Sequence, residues 1–179
     1  MTFAIVIVGW IFSLCLHEFS HALVAYFGGD TTVKDKGYLT FNPLKYTHPF
    51  YSLVLPMIFL LLGGIGLPGG AVYIEMGRLK SPVWQSMVSL AGPLANLLVG
   101  IILAIVLQFI PQGTLDNNSI WPGLACLALL QITALLLNLI PVPPFDGYGI
   151  LEPFLSNEIR ERVNAMRSTL SLLVFAALW

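Results

Sequence analysis

Charge is the scarcest feature of this 179-residue sequence. Eight Lys and Arg and nine Asp and Glu make up 9% of the chain, against about 25% in a soluble globular domain. Hydrophobic residues make up 57%, and mean hydropathy is +0.85. A disordered chain and an ordinary soluble domain are both excluded. A basic excess is missing too. The net charge of −1 leaves no electrostatic footprint for nucleic acid. There are only two cysteines, Cys15 and Cys126, both inside apolar runs, so no disulfide framework is indicated. No internal repeat, low-complexity tract or long polar linker divides the chain, and residues 1–179 read as one domain.

Long apolar runs are what the sequence has instead. They cover 3–27, 49–66, 83–110 and 120–145, and a fifth, 169–179, is short. A membrane-spanning helix needs about 20 such residues. The first run is too long, and too polar at its end, for a cleaved signal peptide. The expected class is an all-α polytopic membrane protein, a bundle of about four to five transmembrane or partial helices with lipid as its solvent. The polar connections are short. Residues 28–48 carry Thr, Val and Tyr between Gly-Gly and Asn-Pro punctuation and read as short strands and turns. Residues 67–82 include the alternating AVYIEM, which looks like an extended edge. Residues 111–119 read as a loop and 152–167 as an interfacial helix.

Inside the four apolar runs or directly at their ends only Glu18 and Asp146 are formally charged, Asp146 following the fourth run, and His17 and His21 flank Glu18. An ionisable group at membrane depth costs about 2.5–3.5 kcal/mol on insertion scales. A shared cation offsets that cost. His17-Glu18-Phe19-Ser20-His21 is an H-E-x-x-H pattern, which places both imidazoles on one face of a helix. Glu18, about 100° around the helix from His17, reaches a metal-bound water without being a ligand. Zinc suits imidazole and carboxylate donors with one position left open. The bland reading, a chance pairing of His and Glu on a helix, is disfavoured because lipid would reject these groups unpartnered.

Two imidazoles leave a metal short of ligands. His48, Glu75, Glu152 and Asp146 are the candidates, and the first three lie near interfaces where water solvates them. Asp146 follows NLIPVPPF, where Pro141, Pro143 and Pro144 unwind a helix. Gly147 then allows a sharp turn beside the carboxylate. Asp146 is therefore favoured as the third ligand, over a helix-terminal turn at the membrane surface. Asn138 has two equal readings, a donor to the oxyanion of a tetrahedral intermediate or a cap on the broken helix. In Ala91-Gly92-Pro93-Leu94-Ala95-Asn96, close helix approach and an interhelical hydrogen bond are favoured over a direct catalytic role.

HEFSH in the first run, AGPLAN at 91–96 and NLIPVPPFDG at 138–147, in that order, resemble the site-2 protease family of intramembrane zinc metalloproteases. The resemblance extends from the first run to about Leu151. It implies zinc at His17, His21 and Asp146, Glu18 as the base, transmembrane proteins as substrates, and a fold of transmembrane helices with a small membrane-associated β-element between the first two motifs. The expected location is the cell membrane of a prokaryote. Residues 41–49 look like the family's compact subgroup but depart from it at Tyr46 and His48. The connections, all under about 25 residues, hold no inserted peptide-binding domain.

Bringing His17, His21 and Asp146 to one depth is easiest if the first and fourth runs are parallel. That makes 49–66 a partial crossing and puts 28–48 and 67–82 on one side. The five Lys and Arg there mark that side as cytoplasmic. Two other functions compete. One is an inactive metal-binding scaffold for membrane helices, which has no need of Glu18. The other is a zinc transporter, which needs ligands along a path rather than one cluster.

Overall fold

The computed structural model describes residues 2–45, 72–110 and 120–178. The expectations for 49–66, for Tyr46 and His48, and for the 111–119 loop fall outside these residues. Seven α-helices are described: α1 (Thr2–Gly28), α2 (Thr32–Asp35), α3 (Pro82–Leu107), α4 (Trp121–Asn138), α5 (Asp146–Leu151), α6 (Asn157–Ala165) and α7 (Arg167–Leu178). Among the described residues, α1, α3 and α4 are long and apolar enough to cross a membrane. Their outward surfaces carry residues such as Val8, Leu98, Ile101, Leu129 and Leu136, all exposed. An outer surface of this kind is suited to lipid rather than water. The chain is an integral membrane protein.

The central helix is α3, which packs on α1, α4 and α5. Lipid tails are as apolar as Leu, so hydrophobicity does little to drive such helices together. Close approach and interhelical hydrogen bonds do. Two clusters show this. Trp10, Leu103, Leu127 and Ala128 meet where α1, α3 and α4 converge. Ala22, Ala25 and Val88 meet α2's Val33 at the other end.

Helix directions follow from which residues touch. Ile5 lies against Gly123, Gly9 against Leu127, and Ser13 hydrogen-bonds Gln131. Both partners advance four residues at each step, so α1 and α4 run parallel, as expected. Along α3 the order reverses. His17 meets Asn96, His21 meets Val88, and Gly28 meets Trp84. Helix α3 is therefore antiparallel to both. The C-terminus of α1 and the N-terminus of α3 lie at one end of the bundle, where the Lys80 N–H donates to the Gly28 carbonyl at 2.9 Å. The C-terminus of α4 reaches the same end.

The expected β-element is not seen in the described parts of its segments, 28–45 and 72–82. Among the described residues there is no strand. Residues 28–45 instead fold into turns, the one-turn α2 and a 3-10 turn at Pro43–Lys45. Side-chain hydrogen bonding wins over β-propensity here. Asp30 Oδ1 accepts from the Thr32 N–H at 3.0 Å and the Thr32 hydroxyl at 2.6 Å, which starts the α2 turn. Residues 72–75 have no regular secondary structure, and the Met76 N–H donates to the Ile74 carbonyl at 3.1 Å to close a tight turn at Glu75. The expected interfacial helix corresponds to α6, capped by Ser156 Oγ, which accepts from the Ile159 N–H.

Candidate metal centre

His17 and His21 sit one turn apart in the C-terminal half of α1, both buried. Their Nε2 atoms are 3.0 Å apart. The third group arrives from the far end of the chain. Helix α4 stops at Asn138, the proline-rich residues 139–145 form turns, and α5 begins at Asp146. Asp146 Oδ2 lies 3.2 Å from His17 Nε2 and 3.4 Å from His21 Nε2. Gly147 allows this, but not through the turn expected of it. It is helical, and a Cβ there would run into the backbone oxygens of Leu139 and Ile140.

Each imidazole is held from behind. His21 Nδ1 is 2.7 Å from the Val88 carbonyl, which can only accept, so Nδ1 carries the proton and Nε2 a lone pair. His17 Nδ1 is 3.1 Å from the side-chain amide of Asn96. Amide oxygen and nitrogen are interchangeable by geometry. With the Asn96 oxygen facing His17, Nδ1 donates and Nε2 is free as a ligand. Partners of this kind fix the tautomer and orientation of metal-binding histidines.

Three acceptor atoms therefore point at one spot. Asp146 Oδ2 is buried and has no hydrogen-bond donor, despite its closeness to both rings. Such a convergence calls for a cation. Tetrahedral zinc, with N and O ligands at about 2.0–2.1 Å, sets neighbouring ligand atoms about 3.3–3.4 Å apart. The observed edges of 3.0, 3.2 and 3.4 Å fit that ion. Among the described residues, this is the one group of three His, Cys, Asp or Glu that could hold a metal.

Glu18 is buried beside the cluster, and its carboxylate accepts the Val72 N–H. A cavity of about 280 Å³ opens here, lined among others by Glu18, His21, Ile74, Asp146, Tyr148 and Arg167. On the other side of Glu18 lies a smaller pocket, which Asn138 lines together with His17 and Glu18.

The sequence profile of peptidase family M50 matches residues 3–120. This chain belongs to peptidase family M50, the site-2 protease family. It is 52% identical over 158 residues to Rip2 of Mycolicibacterium smegmatis, a match covering 87% of this chain and 59% of Rip2. It is 32% identical over 173 residues to YwhC of Bacillus subtilis, covering 88% and 72% of the two chains. Both names class their proteins provisionally as zinc metalloproteases. The M50 chain thus spans about 59% of the length of Rip2. No solved structure matches it.

Within the M50 chain, the other candidate ligands stay apart from the centre. His48 is outside the described residues. Glu75 is bound to Lys36 at 3.1 Å and to Arg78 at 2.5 Å, and hydrogen bonds from those two cations hold its carboxyl below the usual range. Glu152 lines the outer part of the large cavity. Gly92 and Asn96 serve close helix approach and an interhelical hydrogen bond, as read from the sequence, and they do so at the metal cluster itself. A Cβ at Gly92 would collide with Nε2 of both histidines, so α3 crosses α1 directly at the cluster. Asp30 was missed. It is fully buried, and its Oδ2 accepts the Glu75 N–H at 2.8 Å, which ties segment 72–75 to the end of α1. Its signal was an acid directly after Gly28-Gly29, beside a helix end.

Proposed function

We propose that this chain forms a single metalloprotease domain, the catalytic core of a zinc metalloendopeptidase that hydrolyses peptide bonds within or near transmembrane segments of membrane-anchored proteins. The carrying observation is the convergence of His17, His21 and Asp146 within an apolar helix bundle, with Glu18 beside them on the cavity wall. His17 and His21 through Nε2, and Asp146 through its carboxylate, would hold the zinc. When bound, zinc polarises a carbonyl as a Lewis acid and lowers the pKa of water.

The remaining work falls to the chain's own groups. Glu18 takes a proton from the attacking water and passes it to the leaving amine. Asn138, on the pocket shared with His17 and Glu18, donates to the charge developing on the scissile carbonyl oxygen. A substrate helix must unwind to expose its peptide bonds. The irregular backbone at 72–75, tied to Asp30 and lining the cavity through Val72 and Ile74, offers such a segment groups for main-chain hydrogen bonding.

The chain spans the membrane several times. The connections at 28–45 and 72–82 share one end of the bundle with the C-terminus of α4, and the segment carrying Arg160, Arg162 and Arg167 follows from there. All eight Lys and Arg of the sequence lie in these stretches. The positive-inside rule makes that end cytoplasmic and the start of α1 external, in keeping with a prokaryotic cell membrane. Glu18 argues against an inactive metal-binding scaffold, since a structural zinc site needs no base.

The deciding experiment compares the parent with Glu18→Gln in vesicles carrying a transmembrane substrate. The parent should cut it, and the variant should keep its zinc and lose cleavage. Undiminished cleavage by the variant would refute this mechanism.

A further inference from the structure

Glu18 faces two spaces, the large cavity and the smaller pocket that Asn138 also lines. The smaller is a partly open pocket of about 30 Å³ bordered by α1, α3 and α4, extending from His17 toward the N-terminal half of α1. Its polar wall is Ser13, His17, Glu18, Asn96, Gln131 and Asn138. Gln131 is 2% exposed, and Ser13 and Asn96 are each 4% exposed. Gln131 Nε2 donates to Ser13 Oγ at 2.9 Å, but its Oε1 is buried and receives no donor. Asn96, turned so that its oxygen serves His17, directs its NH2 away from the ring and needs an acceptor.

We propose that this pocket is an internal hydration site, holding water between Gln131 Oε1, Asn96 and the Glu18 carboxylate. A buried water needs about 10–15 Å³ and two to four polar partners. The pocket has room for about two waters, with acceptors at Gln131 and Glu18 and donors at Asn96 and Asn138. The space beyond Asn96 and Gln131 has the opposite character. It is a groove of about 210 Å³ between α3 and α4, otherwise lined by Leu97, Gly100, Ile101, Ala104, Ile132 and Leu135. Gln131 and Asn96 thus stand between a pocket with one polar wall, its other side formed by Trp10, Leu14, Leu130 and Ala134, and an otherwise wholly apolar groove. Glu18 would draw its attacking water from this pocket, beside Asn138, a consequence that rests on the protease reading.

The test is a crystal structure of the zinc-loaded protein grown in a lipidic mesophase, at a resolution that shows ordered water. Water within hydrogen-bond distance of Gln131 Oε1, inside the pocket, supports the site. A protein donor on Oε1 and a dry pocket overturn it, whether or not the protein cleaves substrate. Gln131→Leu should lose that water and show a lower kcat, with bound zinc and KM unchanged. Should Gln131→Leu fail to fold, the density in the parent decides. A parent that holds the water but cuts no transmembrane substrate would count against the protease reading alone.

Discussion

Gly92→Ala adds a single carbon where α3 crosses the metal cluster. That carbon would land against Nε2 of both His17 and His21, where the three acceptor atoms converge. Neither ring can retreat freely. His21 is held by the Val88 carbonyl at 2.7 Å and His17 by Asn96 at 3.1 Å. Giving up either bond costs about 0.5–1.5 kcal/mol. Separating the helices instead is overpacking, about 1–3 kcal/mol, which outweighs the gain of about 1 kcal/mol from replacing Gly by Ala in a helix. Losing a partner behind a ligand weakens metal binding about 10–100-fold. Displacing two ligands at once should reach at least the upper end, about 2.8 kcal/mol. Zinc affinity by chelator competition and thermal unfolding measure the two effects. Gly100→Ala is the control on the same helix, because its nearest neighbour, Gln131 Cβ, would be at an ordinary 3.5 Å. If Gly92→Ala binds zinc as tightly as the parent and Gly100→Ala does too, the crossing geometry described here is wrong.

Two further outcomes test the surroundings of the site. Asp30→Ala removes the acceptor for the N–H groups of Thr32 and Glu75. Bonds to a charged group are worth about 1.5–3 kcal/mol each, so limited proteolysis should cut within 72–80 while helix content by circular dichroism holds. Resistance equal to the parent would show that segment 72–75 is held by something else. For orientation, Lys34→Cys in intact cells should resist a membrane-impermeant thiol reagent and react once the membrane is opened. Labelling from outside would reverse the assignment.

Much of the metal centre was legible because lipid makes stray ionisable groups expensive. In a chain with 9% charged residues, Glu18 inside one apolar run and Asp146 at the end of another stand out, and the four-residue spacing of His17 and His21 puts both on one helix face. The parallel course of α1 and α4 was legible too, from the need to bring His21 and Asp146 to one depth. The strands expected at 28–48 were misread in the described part, 28–45. Thr and Val counted toward β-structure, while Asp30 used its carboxylate to turn the chain into α2.

By itself, then, the sequence determined the membrane class, the H-E-x-x-H pair and the carboxylate to look for, since each follows from local spacing or from the cost of charge in hydrocarbon. What holds those groups in place was decided by the tertiary structure. The Val88 carbonyl, the Asn96 amide and the bare Cα of Gly92 come from α3, 67 or more residues away. Asp30's hold on segment 72–75 likewise spans 45 residues. No local pattern encodes such contacts, because they exist only once α3 lies antiparallel across α1 and the chain beyond Gly28 has turned back on it.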